Sequence, residues 1–295
     1  MEAKVLQGLH LSTWMNPEII SRKSRDSLPF WWNKVDRSSC RMSSFRYLSQ
    51  RGRFHEPLAL KVLCTSENNP ASVLEVGKIS ESVDESKIMK KKSEEIQRFL
   101  NGRCIYLVGM MGSGKTTVGK VLAEALGYSF YDCDALIEEA VGGYSVAEIF
   151  KSYGENFFRD NETEVLYKLS SMHRLIVSTG GGAVVRPINW RHMGNGITVW
   201  LDVPLEALAR RLTASGTKSR PLLHHESSDP YGKTMKLLSD LFEERGEAYA
   251  NATVRVSFED ITAKLGYEDA CDLTPTVIAI EVLGQIKSFL LQQQG

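Results

Sequence analysis

From about residue 104 onward, short apolar runs alternate with longer stretches in which apolar residues recur every three or four positions. Cys104-Ile105-Tyr106-Leu107-Val108 is apolar throughout, as a strand covered on both faces requires. Leu175-Ile176-Val177-Ser178-Thr179 and Thr198-Val199-Trp200-Leu201 repeat the pattern, and Phe130-Tyr131 and Val254-Arg255-Val256 are shorter versions. Helical spacing predicts helices over 115–126, 134–170, 188–193 and 205–213, a long one ending near 249, and a last one over 275–291. Five strands separated by helices predict an α/β fold, a parallel five-stranded sheet with helices on both faces. Ligands of such sheets lie at the carboxyl ends of the strands. The residues that follow each strand are therefore where chemistry is sought.

The pattern is absent upstream. Residues 66–95 are polar and rich in Ser, Glu and Lys, which predicts a linker unable to bury enough apolar surface to fold alone. Ile96, Phe99 and Leu100 then fall at helical spacing and predict a short helix leading into a domain over 96–295. Residues 1–65 hold 11 Lys/Arg against 5 Asp/Glu, a net of +6, so the other residues carry −6. With nine serines and no sustained period, this basic leader reads as a targeting segment. It lacks the apolar core of a secretory signal, and 58–64 resembles a plastid transit-peptide cleavage region, so delivery to the chloroplast stroma is expected.

Composition narrows the class further. Apolar residues make up 42% and charged residues 24%, ordinary for a soluble protein. No apolar run nears the ~20 residues a bilayer span needs. The acidic body argues against a nucleic-acid partner. Five cysteines without a C-x-x-C pair or a Cys/His cluster indicate neither zinc nor a disulfide framework. Cys133 reads as a small buried residue at a strand end.

Gly109-Met110-Met111-Gly112-Ser113-Gly114-Lys115-Thr116 satisfies G-x-x-x-x-G-K-[ST], directly after an apolar strand and before a helix. Glycines let successive N–H groups point at phosphate oxygens, and the helix N-terminus adds its positive end. Lys115 would meet the β- and γ-phosphates of ATP, and the Thr116 hydroxyl would ligate Mg²⁺. No N-K-x-D base-reading motif of a GTPase follows, and the size suits a small-molecule kinase.

Three further sites follow strands or lie on covering helices. Asp132 and Asp134, one residue apart, could serve a metal shell and an acceptor hydroxyl, or simply cap a helix. Arg159 could be half of a surface ion pair with Glu155 or Glu162. Gly180-Gly181-Gly182 lets a ligand touch bare backbone, although a plain turn would need only two glycines.

As a set, the phosphate loop, D-x-D, F-F-R (157–159), T-G-G-G (179–182), R-P-L-L (220–223) and R-x-x-x-Y (Arg245 to Tyr249) resemble the shikimate kinases, the plant chloroplast enzymes in particular. The resemblance covers 104–257. It implies a three-layer P-loop kinase fold with a mobile lid over about 214–232. It also implies transfer of the γ-phosphate of ATP to shikimate with one Mg²⁺, within aromatic amino-acid biosynthesis. Residue by residue, it implies Asp134 at the accepting hydroxyl, Asp132 at the Mg²⁺ shell, and Arg159 and Arg245 on the shikimate carboxylate. Gly180, Gly181 and Gly182 would line the pocket, and Arg220 would descend with the lid onto the phosphates. A non-catalytic relative would be expected to have lost Lys115, Asp134 or an acceptor arginine, and all are present.

Overall fold

The computed structural model describes residues 73–214 and 229–293. The leader over 1–65, Arg220 and most of the lid lie outside the described residues. Five strands, β1 (Ile105–Val108), β2 (Ser129–Asp132), β3 (Leu175–Ser178), β4 (Ile197–Asp202) and β5 (Val254–Ser257), form one sheet in the order β2-β3-β1-β4-β5. All four pairings are parallel, with Ile105 opposite Ile176 on one side and Ile197 on the other. The sheet is the one the hydrophobic pattern predicts. Ile105, Leu107, Ile176, Val177, Ile197 and Val199 are fully buried, which explains why the central strands carry unbroken apolar runs.

The order places a switch point between β1 and β3. The chain leaves β1 toward the β2 edge, whereas it leaves β3 across the sheet to β4. A crevice opens at the carboxyl ends of such a pair. Helix α2 (Lys115–Leu126) follows β1, and its two ends are the predicted ones because left-handed glycines punctuate both. Gly114 has φ 90° and Gly127 φ 63°, conformations that cost other residues dearly.

The predicted helical stretch 134–170 is two helices, α3 (Cys133–Ala140) and α4 (Val146–Ser170). Gly142 and Gly143, both at positive φ, separate them, and a Ser145/Glu148 capping box starts α4. Inside α4, Gly154 (φ 83°, ψ 170°) breaks the helical geometry just before Arg159. Downstream stand α5 (Pro187–Met193), α6 (Leu205–Ala214) and α7 (Pro230–Tyr249), then α8 (Phe258–Leu265) and α9 (Pro275–Gln292). The α8 helix was not foreseen. It buries only Phe258 and Ile261 and is started by Ser257, whose hydroxyl accepts from the Asp260 N–H.

The upstream segment corrects an expectation. Most of the predicted linker is helical: α1 runs Val73–Leu100, not from Ile96. Met89, Ser93, Ile96 and Leu100 form a narrow buried stripe, α1 packs on α9, and Glu95 pairs with Lys287. A helix this polar is marginal alone; tertiary docking supplies what composition lacks. Among the described residues no helix is long and apolar enough to cross a membrane.

Candidate active site

The phosphate loop and the triple-glycine turn meet across the switch point. The Thr179 N–H and hydroxyl both donate to the Leu107 carbonyl, at 3.2 and 3.0 Å. A Cβ placed on Gly181 would stand 3.5 Å from Met111 N and 3.7 Å from Gly109 O. The loop between β1 and α2 turns through Gly109 (φ 146°), Gly112 (φ 80°) and Gly114, all in conformations that favour glycine. Lys115 is 9% exposed and donates to the carbonyls of Gly109 (2.8 Å) and Met110 (2.9 Å) and to the Ser113 hydroxyl (3.3 Å). Its ammonium is thus folded over the loop's own rim.

Beside it, the Thr116 hydroxyl donates to Asp132 Oδ2 at 2.7 Å and lies 3.4 Å from the Ser178 hydroxyl. The other Asp132 oxygen accepts from the Asp134 N–H at 3.1 Å. The helix-capping role open to this D-x-D pair is therefore real, and Asp132 combines it with the contact to Thr116.

Asp134 is different. Its Oδ1 is buried without a hydrogen-bond partner. Burial above all, then the charges of Asp132 and Glu162, push its carboxyl up to about 7, while Lys115 and Arg159 pull it back. Facing it, Glu162 is fully buried, with Oε1 unpartnered and Oε2 accepting from Arg159 Nη1 at 2.9 Å. Burial raises the Glu162 carboxyl too, against the opposing fields of Arg159, Arg186 and Arg245. Arg159 also reaches Glu155 at 3.2 Å. Both ion pairs read from helical spacing are present, but the one with Glu162 is interior rather than on the surface.

The glycines explain how so many groups share one space. A Cβ on Gly180 would collide with Glu162 Oε1 and stand 3.0 Å from Asp134 Oδ1. One on Gly182 would collide with the Arg159 guanidinium. From α7, Arg245 is 7% exposed, and its Nε is buried without a hydrogen bond, 3.6 Å from Glu244 Oε1. One turn further, the Tyr249 hydroxyl donates to the Gly181 carbonyl at 2.5 Å, and its ring stacks on Trp200. The result is an enclosure of buried charges beside a phosphate loop. Its atoms without a hydrogen bond are of both kinds: the carboxyl oxygens Asp134 Oδ1 and Glu162 Oε1, and Nε of the Arg245 guanidinium. Cys133 is free and fully buried, and burial, followed by Glu162, Asp134 and Asp132, pushes its thiol well up, away from the thiolate form.

The family model described as shikimate kinase matches residues 111–281. "Shikimate kinase, chloroplastic" of Solanum lycopersicum is 58% identical over 297 residues, spanning all of this chain and 99% of that protein. The chain belongs to the shikimate kinase family. "Shikimate kinase 1, chloroplastic" of Arabidopsis thaliana is 51% identical, across 100% of this chain and 97% of that one. A solved shikimate kinase from Acinetobacter baumannii, in complex with shikimate, aligns with 68% of this chain and 98% of its own at 33% identity and a TM-score of 0.52.

For a shikimate kinase site read from sequence, most candidates converge. Gly109 to Thr116, Asp132, Asp134, Arg159, Gly180, Gly181, Gly182 and Arg245 surround one crevice. Three more residues lie against these groups: Glu162, which helical spacing offers as a surface partner of Arg159, Tyr249, the last letter of R-x-x-x-Y, and Ser178, the end of the third apolar run. The i,i+3 spacing of Arg159 and Glu162 was the available signal.

Proposed function

We propose that this chain is an ATP:shikimate 3-phosphotransferase of the chloroplast stroma, moving the γ-phosphate of ATP to the 3-hydroxyl of shikimate. The products are shikimate 3-phosphate and ADP, and the step belongs to aromatic amino-acid biosynthesis. One observation carries the reading: Arg159 and Arg245, from two different helices, both act on the buried Glu162 beside Asp134 and the phosphate loop. A small polyol carboxylate supplies what that enclosure leaves unpaired. Its carboxylate takes the guanidinium donors, which suit bidentate recognition. Its hydroxyls donate to the orphaned oxygens of Asp134 and Glu162.

In this reading Asp134, with a carboxyl near 7, accepts the proton of the attacking hydroxyl. Lys115 turns from the loop carbonyls to the β- and γ-phosphates, and the loop N–H groups of Gly109, Met110, Met111, Gly112, Ser113 and Gly114 cradle them. Gly180, Gly181 and Gly182 let the acceptor lie against backbone. Arg220 descends with the lid over 214–232, which excludes water as a competing acceptor. A single Mg²⁺ fits at Thr116 and Asp132, two hard oxygens already 2.7 Å apart. Among the described residues no group of three or more His, Cys, Asp or Glu could hold a metal ion, so phosphate oxygens and water would complete its shell. When bound, the ion neutralises charge on the transferring phosphates. Residues 1–65 are assigned as the transit peptide, 66–72 as a linker, and the kinase domain begins with α1.

The test is ADP release by the purified chain with ATP and Mg²⁺, comparing shikimate with quinate and gluconate. Turnover dependent on shikimate is expected. ADP formation indifferent to shikimate would overturn the assignment.

A further inference from the structure

Two guanidinium groups cross the seam between α4 and the triple-glycine turn, in opposite directions. Arg159 leaves α4 and lies against the bare backbone of Gly182. Arg186, at the far end of the same turn, points back. Its Nη1 donates to Asp160 Oδ1 at 2.8 Å and to Thr163 Oγ1 at 3.4 Å. Asp160 directly follows Arg159, and Thr163 directly follows Glu162. Arg186 therefore grips the same helical turn that presents Arg159 and Glu162 to the pocket.

The turn that carries Arg186 is itself rigid. Asn189 Nδ2 donates to the Ala183 carbonyl at 2.9 Å, Trp190 Nε1 to the Val184 carbonyl at 2.8 Å, and the Val185 N–H to the Gly182 carbonyl at 3.2 Å. The backbone of Arg186 is extended (φ −90°, ψ 118°) and leads into Pro187, so the side chain springs from a fixed base. Turn and α5 form one block, and Arg186 joins that block to α4.

We propose that Arg186 is a positioning residue of the acceptor pocket, a brace that sets the separation of α4 from the triple-glycine turn and so aims the Arg159 guanidinium at the acceptor carboxylate. The inference rests on the functional reading above. The side chains of Arg186 and Asp160 are 30% and 55% exposed, so the pair contributes little to stability and the fold survives its loss. Its effect is on placement, and reactant placement is sensitive to shifts near 1 Å. Its charge also acts on Glu162, among the fields that favour the ionised carboxylate Arg159 needs.

The experiment uses the full enzyme and compares Arg186→Gln, Arg186→Lys, Asp160→Asn and the Arg186→Gln/Asp160→Asn double variant. Arg186→Gln is expected to raise KM for shikimate roughly tenfold while KM for ATP stays within about twofold. Arg186→Lys should recover part of the loss. Asp160→Asn, which keeps an acceptor oxygen but loses the charge, should act in the same direction and less strongly, and the double variant should be no worse than Arg186→Gln, because the ion pair with Asp160 is already gone there. Thermal midpoints should move by only a few degrees, about what a small stability change produces. Unchanged shikimate KM in Arg186→Gln overturns the brace, and so does a parallel rise of both KM values with a collapsing melting temperature. A wild type without shikimate-dependent turnover would instead take down the functional reading, and this inference with it.

Discussion

Substituting Gly182 by Ala isolates the seat of Arg159. Gly182 has φ −99° and ψ 2°, which alanine adopts without strain. The added methyl would stand 2.5 Å from Arg159 Cζ and 2.7 Å from Nη1, and closer still to Nη2. Ordinary carbon contacts lie at roughly 3.5–4.0 Å, so the guanidinium must withdraw by about 1 Å or more. It sits at the end of a long flexible side chain, so the backbone need not yield. The withdrawal loosens the 2.9 Å bond from Nη1 to Glu162, a carboxylate whose other oxygen already lacks a partner. It also misaims the donors that the proposed function directs at the acceptor carboxylate. A charge-assisted hydrogen bond contributes about 1.5–3 kcal/mol, so shikimate binding should weaken roughly ten- to a hundredfold. Calorimetric titration of shikimate reads that loss directly. Steady-state kinetics should show the same factor in KM for shikimate, with KM for ATP near its wild-type value. Shikimate affinity left intact would refute the claim that the glycine exists to admit Arg159.

Asp134→Asn tests the buried carboxyl through stability. Its carboxyl is raised from 3.8 to about 7 in the folded enzyme, so the folded state holds a proton there that the unfolded chain has released, and stability falls as pH rises between those values. Urea unfolding without nucleotide, Mg²⁺ or acceptor should show the variant gaining on wild type by up to roughly 4 kcal/mol from pH 4 to pH 8. Equal pH slopes would show that Asp134 is not strained by ionisation. Arg245→Lys should raise KM for shikimate far more than KM for ATP, because lysine is a point donor. In a double-mutant cycle with a shikimate carboxamide, the losses should be non-additive; strict additivity would detach Arg245 from the carboxylate.

Local punctuation made the nucleotide half of the site legible. Gly114 and Gly127 bound α2 on both sides, and the eight-residue motif fixes which backbone groups face a phosphate. The acceptor half was legible as residues but not as an environment. Helical spacing pairs Arg159 with Glu155 and Glu162, yet says nothing of what covers them. The cover is the turn at 180–182, delivered by the pairing of β3 with β1 across the sheet. Glu162 therefore looked like a surface acid and is wholly enclosed. The α1 helix escaped for a related reason, since its buried stripe is thin and its partner lies at the other end of the chain. The α8 helix is only eight residues long, so its apolar positions Phe258, Ile261 and Leu265 make barely two turns of helical period.

That last pairing bears on how the enzyme comes into being. Glu95 meets Lys287 across 192 positions of sequence, and Glu85 meets Thr274 across 189. Contacts of such separation are slow to form, because the intervening loop must close before they reward it. The α1 helix therefore has only its smaller contact with α2, where Gln97 Nε2 donates to the Leu126 carbonyl, until the last helix exists. Whether the chain emerges from a ribosome or through an organelle's import pore, its leading end reaches the far side long before its docking surface. The polar composition that disguised α1 as a linker then has a use: an orphan helix so rich in Ser, Glu and Lys presents little for a chaperone to hold or a neighbour to aggregate upon. Docking of α1 onto α9 closes the molecule only once every residue of the catalytic crevice has arrived.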